Sequence, residues 1–302
     1  MKNKLLVVIF LAFTALYVGL VVALPSDPAV LDRYHITQSR AHFLGLTIAI
    51  PTILIWLFAL YGLMKLRQYT ELIKDSREGP GFSYLSTGLM VLILSLPVIA
   101  SASSILKFTG YRYPELLSST TIMKNYITLL FPFIVFLFIA RGAQDLINTL
   151  KSHKSSRRLQ KFGLITCIML TTFYTWIITT RPVGPNGDSS YYLPTVVILF
   201  TLGIPYVYIW CKGTVAAYQL YVYKSRVRGS IYRGALNSLA LGIGSVIILS
   251  IFLQLLITIS ARLLTLNLSP RLGIVYVLVA LIGVSYGLIA RGSKRLKQIE
   301  EV

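Results

Sequence analysis

The sequence predicts an all-α, polytopic membrane protein: eight transmembrane helices, arranged as two tandem, parallel four-helix repeats. Three observations predict it. Hydrophobic residues make up 55% of the chain and charged residues only 13%, whereas soluble domains carry about 25% charged residues. The apolar residues gather in blocks of about 16 to 26, the length that crosses a hydrocarbon core about 30 Å thick at about 1.5 Å per residue. Features of the first half also recur, in order, in the second.

The predicted spans are Leu5–Leu24, Ala41–Met64, Tyr84–Leu106, Asn125–Ala140, Gly163–Thr180, Pro194–Trp210, Ala235–Ser260 and Leu272–Ala290. The first follows Met1-Lys2-Asn3-Lys4, a basic start like that of a signal peptide. Its apolar run is long for one, however, and Val22-Ala23-Leu24-Pro25 is a poor small-residue cleavage site, so retention as a span is expected. The fourth is the shortest and starts beside Lys124, whose side chain can snorkel to the interface. The connections Leu66–Lys74 and Ala216–Lys224 carry helical patterns that extend the second and sixth spans.

Orientation follows from the basic residues. With the N-terminus inside, the five inner segments hold two, four, six, five and four Lys or Arg, which is 21 of the 29; the outer loops hold 8. Enrichment of Lys and Arg on the cytoplasmic side is the general bias. Both termini are therefore expected in the cytoplasm, and the chain in the plasma (cytoplasmic) membrane. The net charge of +19 then reads as topology and contact with anionic lipids rather than as nucleic-acid binding. The group Arg226, Arg228 and Arg233, with Arg157, Arg158 and Lys161, is placed to meet anionic headgroups.

The duplication is read from spaced matches. Ile139-Ala140-Arg141-Gly142 closes the fourth span and Ile289-Ala290-Arg291-Gly292 the eighth, 150 positions later; at that offset Ser95 meets Ser245. At 154, Ile50-Pro51 meets Ile204-Pro205, Trp56 meets Trp210, and Tyr69 meets Tyr223. At 157, Lys4, Thr14, Tyr17 and Pro25 meet Lys161, Thr171, Tyr174 and Pro182. A unit of four spans returns the chain to its starting side, so the copies share one orientation and an axis along the membrane normal. The units are expected at residues 1–150 and 151–302.

Several chemistries are disfavoured. None of the ten Asp and Glu residues falls in a predicted span, which argues against an intramembrane carboxylate relay, because buried acids usually mark such pathways. It also argues against paired-carboxylate hydrolysis, and the chain is not expected to be an enzyme. Of His35, His42 and His153 only His42 reaches a span, near its outer end, where an interfacial place is expected. Cys167 and Cys211 are isolated, and a metal site wants clustered ligands. No cofactor or metal is called for.

What remains is backbone chemistry. Pro51, Pro97, Pro132 and Pro205 lie within spans, and a proline frees a carbonyl one turn earlier and kinks the helix. Broken helices at mid-depth bind solutes in several transporter folds. The paired Pro51 and Pro205, with the hydroxyls of Thr47, Ser95, Thr201 and Ser245, form the candidate ligand-binding site. The leading reading is a small permease for a neutral or anionic solute, or a lipid, bound between the repeats. The alternative is a non-catalytic sensor module or a subunit of a larger complex with a partner membrane protein. Small-residue faces at Gly283/Gly287 and Ala240/Gly244 predict close helix packing.

The topology is testable. Reporters fused after Leu24, at Ser118 and at Gly187 are expected to read outside. Those at Ser76, Ser155, Ser225 and the C-terminus are expected to read inside. A C-terminus found outside would end the eight-span arrangement.

Overall fold

The computed structural model describes the backbone of residues 2–24, 31–32, 35–112, 117–150, 165, 169, 172–173, 204–227, 229–263 and 268–300, and the side chains of most of these. Most of the predicted fifth span and most of the sixth lie outside the described residues. Among the described residues the chain is helical, without strands, in seven helices: α1 Lys2–Ala23, α2 Gln38–Leu72, α3 Gly79–Arg112, α4 Leu117–Leu150, α5 Ile204–Arg226, α6 Ser230–Leu263 and α7 Leu268–Glu300. Six of them hold a stretch long and apolar enough to cross a membrane, which fits a multi-pass membrane protein.

The helices outrun their apolar blocks. α2 has 35 residues, about 52 Å at about 1.5 Å per residue, against a hydrocarbon core of about 30 Å. The surplus lies mostly at one end of the bundle, where α2, α4, α5 and α7 finish. Lys65, Arg67, Arg141, Lys224, Arg226, Arg291 and Arg295 fall there, and we call it the basic end. The helical extensions expected after the second and sixth spans are present as the last turns of α2 and α5. The fourth span, expected to be short, belongs to a continuous helix of 34 residues. Its signal was weak because Lys124, Arg141 and Asp145 interrupt the apolar run without ending the helix.

Six helices close a ring in the order α2, α3, α4, α5, α6, α7, with α7 returning to α2, and α1 lies outside against α3 and α2. Tyr17 of α1 stacks on Trp56 of α2 with ring centroids 5.4 Å apart, and the Ser101 hydroxyl of α3 donates to the Phe13 carbonyl of α1 at 3.3 Å. Tight turns join the ring's hairpins at the basic end. Between α2 and α3 the Ser76 hydroxyl donates to the Ile73 carbonyl and accepts from the Gly79 N–H. Gly79 is required there, since a Cβ would lie 2.5 Å from the Ile73 carbonyl oxygen. Between α5 and α6 the chain turns at Gly229, whose φ of +100° favours glycine.

Glycines set how closely the helices approach. A Cβ on Gly142 of α4 would lie 2.7 Å from the Gly81 carbonyl oxygen and 2.8 Å from the Leu85 nitrogen of α3. One on Gly292 of α7 would lie 2.8 Å from the Ala235 carbonyl oxygen and 2.7 Å from the Leu239 nitrogen of α6. On the next turns Gly88 of α3 faces Ile139 of α4, and Gly242 of α6 faces Ile289 of α7. Close backbone approach through small residues is how helices associate in lipid, where no hydrophobic effect drives them together.

The small-residue faces predicted for α7 and α6 are not the tight crossings. Gly287 is exposed, with nothing within 4 Å of a Cβ placed there, and a Cβ on Gly244 would make only ordinary contact with Ala217. Gly283 has Ile55 at 3.2 Å. The spacing of small residues marks a possible face but not which side of the helix meets a neighbour.

Gly142→Ala and Gly292→Ala should each lower the thermal unfolding midpoint of the purified protein, by the equivalent of about 1–3 kcal/mol, because backbone and not a movable side chain blocks the methyl group. Gly287→Ala should be within about 0.5 kcal/mol of the parent. Equal effects at Gly142 and Gly287 would refute this packing.

Candidate functional site

The hydroxyls predicted to line a site around Pro51 and Pro205 sit on helices that oppose one another across the ring: Thr47 and Pro51 on α2 against Pro205 on α5, and Ser95 on α3 against Ser245 on α6. Pro205 is buried, and Pro51 and Ser245 are half-buried. Thr201 lies outside the described residues.

The hydroxyls are largely committed locally. The Thr47 hydroxyl donates to the Leu44 carbonyl at 2.8 Å and lies 2.6 Å from the Tyr276 hydroxyl of α7. The buried Ser95 hydroxyl donates to the Leu92 carbonyl of its own helix at 2.7 Å. Beside Pro51, the Thr52 hydroxyl donates to the Ile48 carbonyl at 2.8 Å. Among the described residues no hydrogen bond joins any two of Thr47, Ser95 and Ser245.

Elsewhere the polar expectations have mixed outcomes. Asn237 of α6 accepts from Lys224 of α5 at 2.7 Å, a bond between neighbouring helices. His42 sits at the mouth of the α1–α2 connection, 3.1 Å from the Leu24 carbonyl. An open cleft of about 570 Å³ at the basic end is lined by Ser230, Ile231, Gly234, Arg295, Gln298 and Ile299. Among the described residues no group of three or more metal-ligating side chains occurs.

The most connected polar group is one that sequence reasoning passed over. At the basic end, inside the ring, the Tyr232 hydroxyl donates to the Glu78 carboxylate at 2.8 Å and pairs with the Tyr69 hydroxyl at 2.9 Å. Tyr69 and Tyr223 are fully buried. Tyr69 is held edge-on by Phe82, at 5.0 Å between centroids. Tyr223 Oη lies close enough for Glu78 and Tyr232 to act on it, yet makes no hydrogen bond of good geometry. Burial pushes the Tyr223 phenol well above its ordinary range, and the neighbouring Glu78 carboxylate adds to that. It therefore remains a neutral donor at any physiological pH.

The local structure explains the placement. Glu78 sits on the turn that Ser76 caps, one residue before α3 begins, and Tyr232 is in the first turn of α6. Tyr69 and Tyr223 lie in the last turns of α2 and α5. Tyr69 and Tyr232 come from α2 and α6, which are not neighbours in the ring; their bond crosses its interior. The sequence carried part of the signal in the match of Tyr69 to Tyr223 at 154. Glu78 and Tyr232 are also 154 apart, but a pairing of unlike residues is invisible to a search for identities.

Comparison with protein-family models, with curated proteins and with solved structures finds no match to this chain. What it does chemically must be argued from its own residues.

Proposed function

We propose that the chain is a two-unit membrane permease for a neutral or anionic solute, or a lipid, with the basic end in the cytoplasm. The observation that carries the two-unit reading is the order of the ring. Exchanging α2 with α5, α3 with α6 and α4 with α7 turns every neighbour pair of the ring into another neighbour pair. The tight crossings follow the same exchange. Gly81, Leu85 and Gly88 correspond at 154 to Ala235, Leu239 and Gly242; Ile139 and Gly142 correspond at 150 to Ile289 and Gly292. This register pairs α3 with α6 at 154 rather than 150, which sets Ser95 against Leu249 and removes the Ser95–Ser245 match. Pro51 with Pro205 is unaffected.

Packing along the ring supports a pathway closed at the cytoplasmic side. Fully buried side chains crowd the basic half: Leu63, Leu66, Phe82, Leu85, Leu89, Ile139, Leu146, Leu239 and Ile289. Toward the other end, among the described residues, only Ala49 is buried in residues 40–55 of α2, and none is in residues 273–284 of α7. Pro51 and Pro205 sit above the filled half. The carbonyl that Pro51 frees, that of Thr47, costs several kcal/mol if left unpaired in lipid, and a solute or water between the units is one partner.

Anionic headgroups are the natural neighbours of the basic end, where each Lys or Arg near the surface contributes about 1 kcal/mol of attraction. The second reading, a subunit or sensor module that docks on a partner membrane protein, is favoured by one observation. Gly287 is exposed on α7 with nothing against it, as expected of a helix face kept smooth for another helix.

The test is ligand protection. The parent and a Pro51→Ala, Pro205→Ala double variant would be purified and heated with panels of neutral solutes, anionic solutes and lipids. The reading expects one class to raise the parent's unfolding midpoint and to lose at least about tenfold in apparent affinity in the variant, at equal folded yield. Protection that is the same in both proteins would remove the proline site. Co-purification of a stoichiometric membrane protein without any small molecule would favour the subunit reading.

A further inference from the structure

We propose that Glu78, Tyr69, Tyr232 and Tyr223 form a lock that holds the cytoplasmic end of the ring shut, and that parting of the Tyr232–Glu78 bond is the step that opens it. The assignment rests on the two-unit reading for the meaning of the axis, but its geometry stands alone.

The lock joins elements that the ring does not. Neighbouring helices in the ring are packed through apolar side chains and glycine crossings, which have little freedom to part. Tyr232 instead reaches across the interior to Tyr69 of α2 and to Glu78 at the start of α3, at 2.9 and 2.8 Å. Opening this end separates those partners first. Glu78 and Tyr232 hold corresponding positions in the two units, so the bond between them is a contact of one position with its own counterpart, the signature of a residue pair on a two-fold axis. Strict symmetry would be poor there. Two glutamates on the axis would repel, and two tyrosines would supply no charged acceptor. One of each makes a charge-assisted bond, about twice as strong as a neutral one.

The fourth member shows that the arrangement is poised rather than saturated. Tyr223 is fully buried, and its Oη lies close to Glu78 and Tyr232 without a hydrogen bond of good geometry to either. A buried donor left unpaired is costly. It is therefore a ready partner for Glu78 once Tyr232 has moved away, and the carboxylate need not be stranded in the interior when the end opens.

The experiment uses the full-length chain with Cys167 and Cys211 replaced by serine and a single reporter, Ala216→Cys. Ala216 is fully buried and lies seven residues before Tyr223, two turns further in on the same face of α5. The probe is a water-soluble maleimide. Tyr232→Phe should speed labelling by about tenfold or more, the effect expected on losing a hydrogen bond to a charged group; Glu78→Gln, which keeps an amide oxygen to accept but loses the charge, should also speed it, by less. Their combination should be no faster than Tyr232→Phe alone, because that variant already removes the hydroxyl that bonds both Glu78 and Tyr69. A control reporter, Ala143→Cys, buried at the α3–α4 crossing, should not change by more than about twofold, within the range of additive, uncoupled sites. No acceleration at position 216, or equal acceleration at both reporters, would overturn the lock and leave the cluster as ordinary packing. If Glu78→Gln does not accumulate as folded protein, Tyr232→Phe, which removes one hydroxyl and no charge, carries the same test.

The exchange Glu78→Tyr with Tyr232→Glu separates the lock from the two-unit reading. Across a two-fold axis the exchanged pair rebuilds the same bond, and slow labelling should return. Fast labelling in the exchange, with the single variants behaving as expected, would leave the lock standing and remove the support it draws from symmetry.

Discussion

The close approach of α3 to α4, and of α6 to α7, is the constraint on which the rest of the structure depends. In lipid, helices gain little from hiding apolar surface from one another, so association falls to contact at short range and to hydrogen bonds. Gly81 with Gly142, and Ala235 with Gly292, bring the paired backbones to where a single added methyl group would collide with a carbonyl or an amide. With those pairs set, α2 and α5 take the remaining places beside α3 and α6, and the ring closes where α7 meets α2 and α5 meets α4. Pro51, Pro205 and the polar cluster all lie on helices whose positions these crossings determine.

A ring of this kind has different problems at its two ends. At the basic end the hairpin turns at Ser76 and Gly229 bring four long side chains inward, three phenols and one carboxylate. The bonds among Tyr69, Tyr232 and Glu78 satisfy groups that would be expensive to bury singly. Glu78 itself is half-buried and accepts from the Tyr232 hydroxyl. The Arg141–Asp145 pair, by contrast, is a turn apart on one helix at 3.1 Å, partly exposed, and contributes little to holding the helices together.

Much of the architecture was legible because the bilayer imposes it. Block length and polarity marked the helices that the structure describes, and the helical pattern after Met64 and Trp210 gave the extensions of α2 and α5. The fourth helix was underestimated for a physical reason: Lys124 and Asp145 lower local hydropathy, while the backbone stays helical through both. The candidate site was less legible. Hydroxyl content on α3 pointed to a polar lining, yet Ser95 and Ser104 turn back to carbonyls of their own helix, a local option that composition does not reveal. Glu78 was counted as a loop acid, because linear sequence gives no hint that the turn before α3 folds under the ring.

The sequence by itself determined what depends on single residues and their spacing: a helical chain with apolar stretches of membrane length, an excess of basic residues between particular helices, and prolines within apolar stretches. Those properties follow from the cost of an unpaired backbone in lipid and from helix geometry, and neither needs a neighbour to act. Only the tertiary structure decided which glycines are crossings and which are smooth outer surface, and which hydroxyls answer to a carbonyl one turn away. It also decided that a glutamate and a tyrosine 154 positions apart meet inside the ring. Each of those depends on which face of one helix is turned toward another, and that orientation emerges only when all six helices of the ring are packed together.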